Sequence, residues 1–215
     1  MPGLKALRIR AYQDTAVYRT PWSFENVESF PLPPFSTVLG FIHRVLCLNE
    51  TLHGIKLGVQ GRYGGIAKNF VRYYKYDLKK KQVRQYPILI TTLTDVELVL
   101  HVVMPNGELH DKLKNALFDP PIYPYLGRPE DLLRIEKVED VEIHKVEEIK
   151  SLKYDAYVPY DDEIKELGIF YRIPFYYEKT NERRNFQTVE VLYIQGGNEP
   201  IQISYTDGDF PVFLV

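Results

Sequence analysis

Between residues 62 and 86, eight basic side chains interleave with six aromatic ones, and Asp77 is the one acid among them. Arg62, Lys68, Arg72, Lys75, Lys79, Lys80, Lys81 and Arg84 can neutralise phosphates. Tyr63, Phe70, Tyr73, Tyr74, Tyr76 and Tyr86 offer flat faces on which unpaired bases stack. That is the chemistry of a nucleic-acid surface. The same residues also suit a solvated edge hairpin, whose lysines deter pairing with another sheet and whose tyrosines pack across the strands. Scarcity of acids and density of aromatics, occurring together, favour the nucleic-acid reading.

Two further groups of residues could hold an anion. Around Tyr125-Leu126-Gly127-Arg128, a glycine beside an arginine lets backbone amides approach a phosphate while the guanidinium clamps it. The plainer alternative is a turn in which Arg128 pairs with Glu130 or Asp131. The second group is Pro33-Pro34-Phe35-Ser36-Thr37-Val38-Leu39-Gly40, which reads as a helix start with Ser36 as N-cap and an N-terminus suited to an anion. Its plainer alternative is a cap with core residues behind it.

These groups need a scaffold. Residues 4–12 alternate apolar Leu7, Ile9 and Ala11 with Arg8 and Arg10, the period of a half-buried strand with one basic face. A long loop over residues 13–35 follows, with four prolines and an exposed Trp22. The spacing predicts a helix over 37–48 and a strand over 55–63. A basic hairpin over 70–78 and 83–91 and a separate strand over 96–103 come next. Leu109, Leu113, Ala116 and Leu117 recur at helical spacing, and residues 132–143 read as a returning strand.

The order is strand, helix, strand, inserted hairpin, strand, helix, strand. It predicts an α+β, ferredoxin-like domain over residues 1–144 with a long basic β-hairpin insertion. RNA-recognition modules use the sheet of this arrangement. Residues 145–215 change to short β-rich runs and are expected to form a small appendage.

Bulk composition sets limits. Over 215 residues the net charge is −2, so any polyanion site is local. Residues 130–166 hold thirteen acids against six basic side chains, which implies a separate acidic face. A lone Cys47 forms no internal disulfide, and no apolar run is long enough to span a bilayer. The start at Met1 lacks a signal-peptide core. A soluble, cytoplasmic protein without membrane contact is expected.

The proline-rich helix start after the first strand, residues 33–40, followed by Tyr125-Leu126-Gly127-Arg128-x-Glu130-Asp131, resembles the CRISPR-associated RAMP proteins of the Cas five family. The resemblance covers most of residues 1–143 in element order, and length points to the type I-B (Tneap-like) branch. It implies a non-catalytic subunit that grips the repeat-derived 5′ handle of CRISPR RNA at one end of a type I, Cascade-type antiviral complex. The implied partners are the guide RNA, the backbone and large subunits, and target DNA met through the complex. In this reading the basic hairpin is a thumb-like element. The RNA-binding set is then Arg19 and Trp22 in the long loop, Ser36 and Arg44 on the first helix, Arg62, Lys68, Arg72, Tyr74 and Lys75 on the hairpin, and Tyr125, Gly127 and Arg128 in the turn.

The alternative is a metal-independent repeat endoribonuclease, in which a base activates a ribose 2′-OH against the neighbouring phosphate. Of His43, His53, His101, His110 and His144, His43 beside Arg44 is the first to inspect. The cleaving branch of the family is similar to a tyrosine working with a Lys-His pair. Near the second helix this chain has His110-Asp111-Lys112 and Lys114-Asn115, but no such pair. Tyr12 or Tyr18 could supply a phenol, although 17 tyrosines single out none. Walker, His-Glu-x-x-His and Cys-x-x-Cys patterns are missing, and Asp161-Asp162-Glu163 reads as a solvated turn. No catalytic residue, metal or cofactor is expected.

Overall fold

The computed structural model describes residues 3–23, 25–180, 183–197 and 200–215, so Met1 and Pro2 of the chain start lie outside the described residues. The chain runs β1 (Leu4–Ala16), β2 (Asn26–Val27), α1 (Phe35–Val45), β3 (Lys56–Arg62), β4 (Gly65–Asp77), β5 (Gln82–Val103) and α2 (Gly107–Phe118). It continues with β6 (Arg134–Ile149), β7 (Asp155–Pro159), β8 (Ile169–Thr180), β9 (Arg183–Ile194), β10 (Ile201–Thr206) and β11 (Pro211–Val212). These strands form one mostly antiparallel sheet in the order β11-β10-β6-β1-β5-β3-β7-β9-β8, with β2 and β4 also paired to β5. The molecule is α+β.

Alternation divides the central strands into two faces. Leu7, Ile9 and Ala11 of β1, Leu57 and Val59 of β3, and Val96, Leu98, Leu100 and Val102 of β5 share one core with α1 and α2. The opposite face carries Ala6, Arg8, Val99, His101 and Gln60. There the chain end crosses the sheet: Arg8 Nη1 donates to Asp207 at 2.9 Å, Gln60 Nε2 to the Pro211 carbonyl at 2.5 Å, and the Val215 N–H to the Leu57 carbonyl at 3.0 Å. A Cβ on Gly58 would stand 3.0 Å from the Phe213 carbonyl, so a glycine permits this close crossing. This face of the sheet is therefore covered over β1, β3 and β5.

Several expected boundaries move. The hairpin's second strand and the strand expected at 96–103 are one strand, β5, because β3 and β4 succeed each other along its same edge. The ladder kinks between them. Asp95 adopts φ 53°, its Oδ1 accepts the Tyr12 hydroxyl at 2.8 Å, and a Cβ on Gly64 would lie 3.0 Å from that of Asp95. β1 runs on to Ala16, which shortens the long loop.

Ser36 is not the N-cap of α1. Pro34 holds that position in extended conformation, no side chain caps the helix, and Ser36 sits inside the first turn. The helix also stops earlier than expected, at Val45. Cys47 takes φ 53°, with Cys47 N–H donating to the Arg44 carbonyl and Leu48 N–H to the His43 carbonyl, the paired bonds of a Schellman stop. At α2, Asn106 caps by accepting from the Leu109 N–H at 2.9 Å.

The boundary expected after residue 144 falls inside β6. Strands of the later region extend the sheet at both ends, with β10 on β6 and β7 on β3, and Tyr157, Ile173, Phe175, Val191 and Tyr193 join the core of α1 and α2.

Candidate nucleic-acid interface

β4 pairs with the outer half of β5 from Gly65↔Thr94 to Asp77↔Gln82, and this register assigns the side chains to two faces. Lys68, Phe70, Arg72, Tyr74 and Tyr76 share one face. Val71, Tyr73 and Lys75 share the other with Ile88, Tyr86 and Arg84. Phe70 is 77% exposed and Tyr74 59%. Asp77 is engaged locally, its Oδ1 accepting the N–H groups of Lys79 and Lys80 while its Oδ2 pairs with Arg84 at 3.2 Å. The lone acid thus builds the turn at the tip. Arg62 stands apart from the arm. It pairs with Glu97 at 2.7 Å and lies over the Tyr154 ring.

Arg44 and Tyr125 come together from distant segments. The Arg44 guanidinium lies 3.5 Å from the Tyr125 ring centroid and donates to the Tyr125 carbonyl at 3.2 Å. Burial lowers the pKa of this arginine. In the long loop, Arg19 donates to the Ser23 carbonyl at 2.9 Å. Trp22, half exposed, donates to Glu28 and meets Phe30 edge-on at 5.4 Å.

The turn after Tyr125 is an internal tie. Asp131, fully buried, accepts from Arg128 Nε at 3.0 Å and Nη2 at 2.8 Å, and from the N–H groups of Val17 and Arg128, both at 3.0 Å. This is the ion-paired alternative for Arg128, whose Nη1 also lies 3.3 Å from Glu130. The Asp131 hydrogen bond raises the arginine's pKa against the opposing effect of burial. Gly127, at φ 102°, is set so close that a Cβ would meet the Val17 carbonyl at 2.8 Å. Gln13 Nε2 donates to the Leu126 and Asp131 carbonyls, and the Tyr18 hydroxyl donates to Gln13 Oε1 at 2.6 Å. Tyr18 is held well above its usual pKa by burial.

Ser36, Gly40 and His43 line a pocket of about 260 Å³ between α1 and the β8–β9 hairpin, opposite Phe175, Tyr176, Tyr177 and Phe186. His43 Nε2 accepts the Leu52 N–H at 3.1 Å, and burial lowers the pKa of the imidazole. Asp161 accepts the Glu163 N–H and Asp162 the Tyr160 hydroxyl, so the acidic triplet forms a turn.

The histidines most enclosed by the fold meet acids. His101, fully buried, meets Asp207 at 2.9 Å, and Arg8 pairs with Asp207, Glu139 and Asp209. His110 and Lys114 both contact Asp140 at 2.5 Å; the Lys114 bond first and the His110 bond second hold that carboxyl down to about 2. Sequence reasoning missed the aromatic wall of the pocket and the Arg8 cluster. Alternation marked Arg8 as facing away from the core, but nothing local could indicate a partner 199 residues away.

The arm, the turn and the pocket sit on a fold with known counterparts. A chain described as a CRISPR RNA-guided surveillance complex superposes with TM-score 0.60 at 14% identity, covering 91% of both chains. The crystal structure of a CRISPR protein from Archaeoglobus fulgidus gives 0.50 at 12% identity over 97% of both. A chain of the type III-B Cmr-beta complex bound to cognate target RNA and AMPPnP gives 0.51 at 12% identity, over 89% of this chain and 84% of that one. No curated protein matches. Among the described residues, no helix is long and apolar enough to cross a membrane. The family described as CRISPR-associated protein (Cas_Cas5) matches residues 6–193, nearly the whole chain, and the protein belongs to that family.

Proposed function

We propose that this chain is a non-catalytic CRISPR RNA-binding subunit that holds the 5′ handle of the guide at one end of a type I-B effector complex. Within the proposal, the unit β6-β1-β5-β3 with α1 and α2 is the ferredoxin-like RAMP domain. Residues 145–215 are its β-rich extension, and the backbone and large subunits are its neighbours. The carrying observation is the β4–β5 arm. It presents cations and exposed aromatic rings on both faces, and its one carboxylate is engaged in its own turn. Structural neighbours from RNA-guided and RNA-bound CRISPR complexes support the same reading. Because the sheet face is covered, RNA contact is assigned to the arm and the α1 side.

The test is purification with bound RNA and sequencing of its 5′ ends, where a common handle is expected. Replacing Lys68, Arg72 and Lys75 together by alanine should weaken binding and flatten its salt dependence. Arg128 is left in place because its guanidinium serves Asp131. Unchanged, salt-insensitive binding by the triple variant would defeat the proposal. Incubation with repeat RNA in EDTA reads the catalytic alternative. Intact RNA at saturation supports a binding subunit, and a discrete product ending in a 2′,3′-cyclic phosphate would make the protein an endoribonuclease.

A further inference from the structure

We infer that the pocket between α1 and the β8–β9 hairpin receives a single unpaired nucleobase of the bound RNA. The inference rests on the RNA-binding reading above and adds to it a site on the body of the protein, distinct from the arm. One wall is aromatic: Tyr177 and Phe186 are cross-strand partners whose rings lie 5.9 Å apart, and Phe186 is 54% exposed. The other wall is α1, and it is recessed where Gly40 stands, since a Cβ there would meet nothing within 4 Å. At about 260 Å³ the space is below the usual range for a drug-sized ligand, about 300 to 1,000 Å³, and suits one flat ring system.

Polar groups supply the hydrogen bonds a base edge needs. The hydroxyls of Ser36 and Thr51, both lining the pocket, make no hydrogen bond with any other described residue. His43 accepts the Leu52 N–H through Nε2, so the neutral ring carries its proton on Nδ1 and is a donor there. An aromatic face with a few hydrogen-bonding groups is how splayed-out bases are recognised. Charge separates this pocket from the larger one, about 490 Å³, whose lining includes Asp161, Glu163 and Glu166. Those carboxylates would repel a phosphate chain, whereas none of the described residues lining the α1 pocket is acidic.

The probe is a synthetic CRISPR-repeat RNA with 2-aminopurine substituted one position at a time. One position should lose fluorescence when protein is bound, because its base stacks. Phe186→Ala should restore that signal and weaken binding roughly 5- to 150-fold, the usual worth of one stacked base. Gly40→Leu, which projects into open space, should block the pocket while the thermal melt remains that of a folded protein. The arm variant lacking Lys68, Arg72 and Lys75 should need more protein to saturate yet keep the quench at saturation. RNA that saturates the protein with no position responding to both pocket variants overturns this inference and leaves the RNA-binding reading standing. A quench abolished by the arm variant at saturation also overturns it, by placing the base on the arm. Absence of RNA binding at low salt overturns both.

Discussion

Removing the Asp131 carboxylate would leave the N–H groups of Val17 and Arg128, and the guanidinium of Arg128, without their buried acceptor. Asp131→Ala should therefore lower stability by about 3–5 kcal/mol, the cost of breaking a buried pair from one side. Urea denaturation checks this, and a loss below about 1 kcal/mol would show that the turn does not depend on the carboxylate. The residue explains why the Tyr125 to Asp131 motif was legible yet ambiguous. A glycine next to an arginine serves a phosphate and an internal carboxylate equally well. Only the fold reveals that the acid three residues on is the one enclosed, under β1. Arg44 was expected on the first helix as an RNA contact, but its seat on the Tyr125 ring depends on a contact 81 residues away.

Elements were easier to read than their ends. The arm was visible because its composition departs from the rest of the chain. Its continuity with the core through β5 was not, because Thr94 and Asp95 read as a break, whereas Asp95 turns the ladder without ending it. Between residues 72 and 87 no side chain belongs to the core, which resumes at Ile88. Replacing residues 72–87 by Asn-Gly, so that Val71 and Ile88 flank a two-residue turn, should change stability by less than about 1 kcal/mol. It removes Arg72, Lys75, Lys79, Lys80 and Lys81, which make no ion pair with described residues. The salt slope of RNA binding should then fall, by as much as ~3.5 if each contacts a phosphate. An unchanged slope in filter binding would remove the arm from the interface. In α1, Gly40→Ala should stabilise the protein by about 0.5–1 kcal/mol, because a glycine in mid-helix is costly and its Cβ position is open. Thermal melts read this, and a lower melting temperature would mean that a side chain at residue 40 costs more in packing than the glycine costs in entropy.

At the scale of the molecule, the feature that local pattern could not supply is the return of the chain end across the sheet. β1 advertised a basic face, and its sequence named no partner for it. The face closes on Asp207, which lies under Arg8 and against His101. Burial alone would raise the Asp207 pKa, but the His101 hydrogen bond and the Phe210 and Asp209 N–H groups outweigh it and hold the carboxyl far below the usual range. A group with a depressed folded pKa contributes stability that is complete above its unfolded value, near 3.9 for an aspartate, and is lost as pH falls toward the folded value. Asp207→Ala should accordingly cost about 3–5 kcal/mol at neutral pH, since it leaves Arg8 and His101 facing a gap. Below about pH 4 the difference between wild type and variant should shrink, by about 1.4 kcal/mol per pH unit from this carboxyl. Arg8, Asp209 and Glu139 surround the same point and remain in both proteins, so their own pH dependence largely cancels in the comparison. Urea unfolding of the two proteins at stepped pH reads the difference directly. A gap that persisted unchanged at the acid end would mean that packing of the chain end, and not the Asp207 charge, holds the sheet face closed.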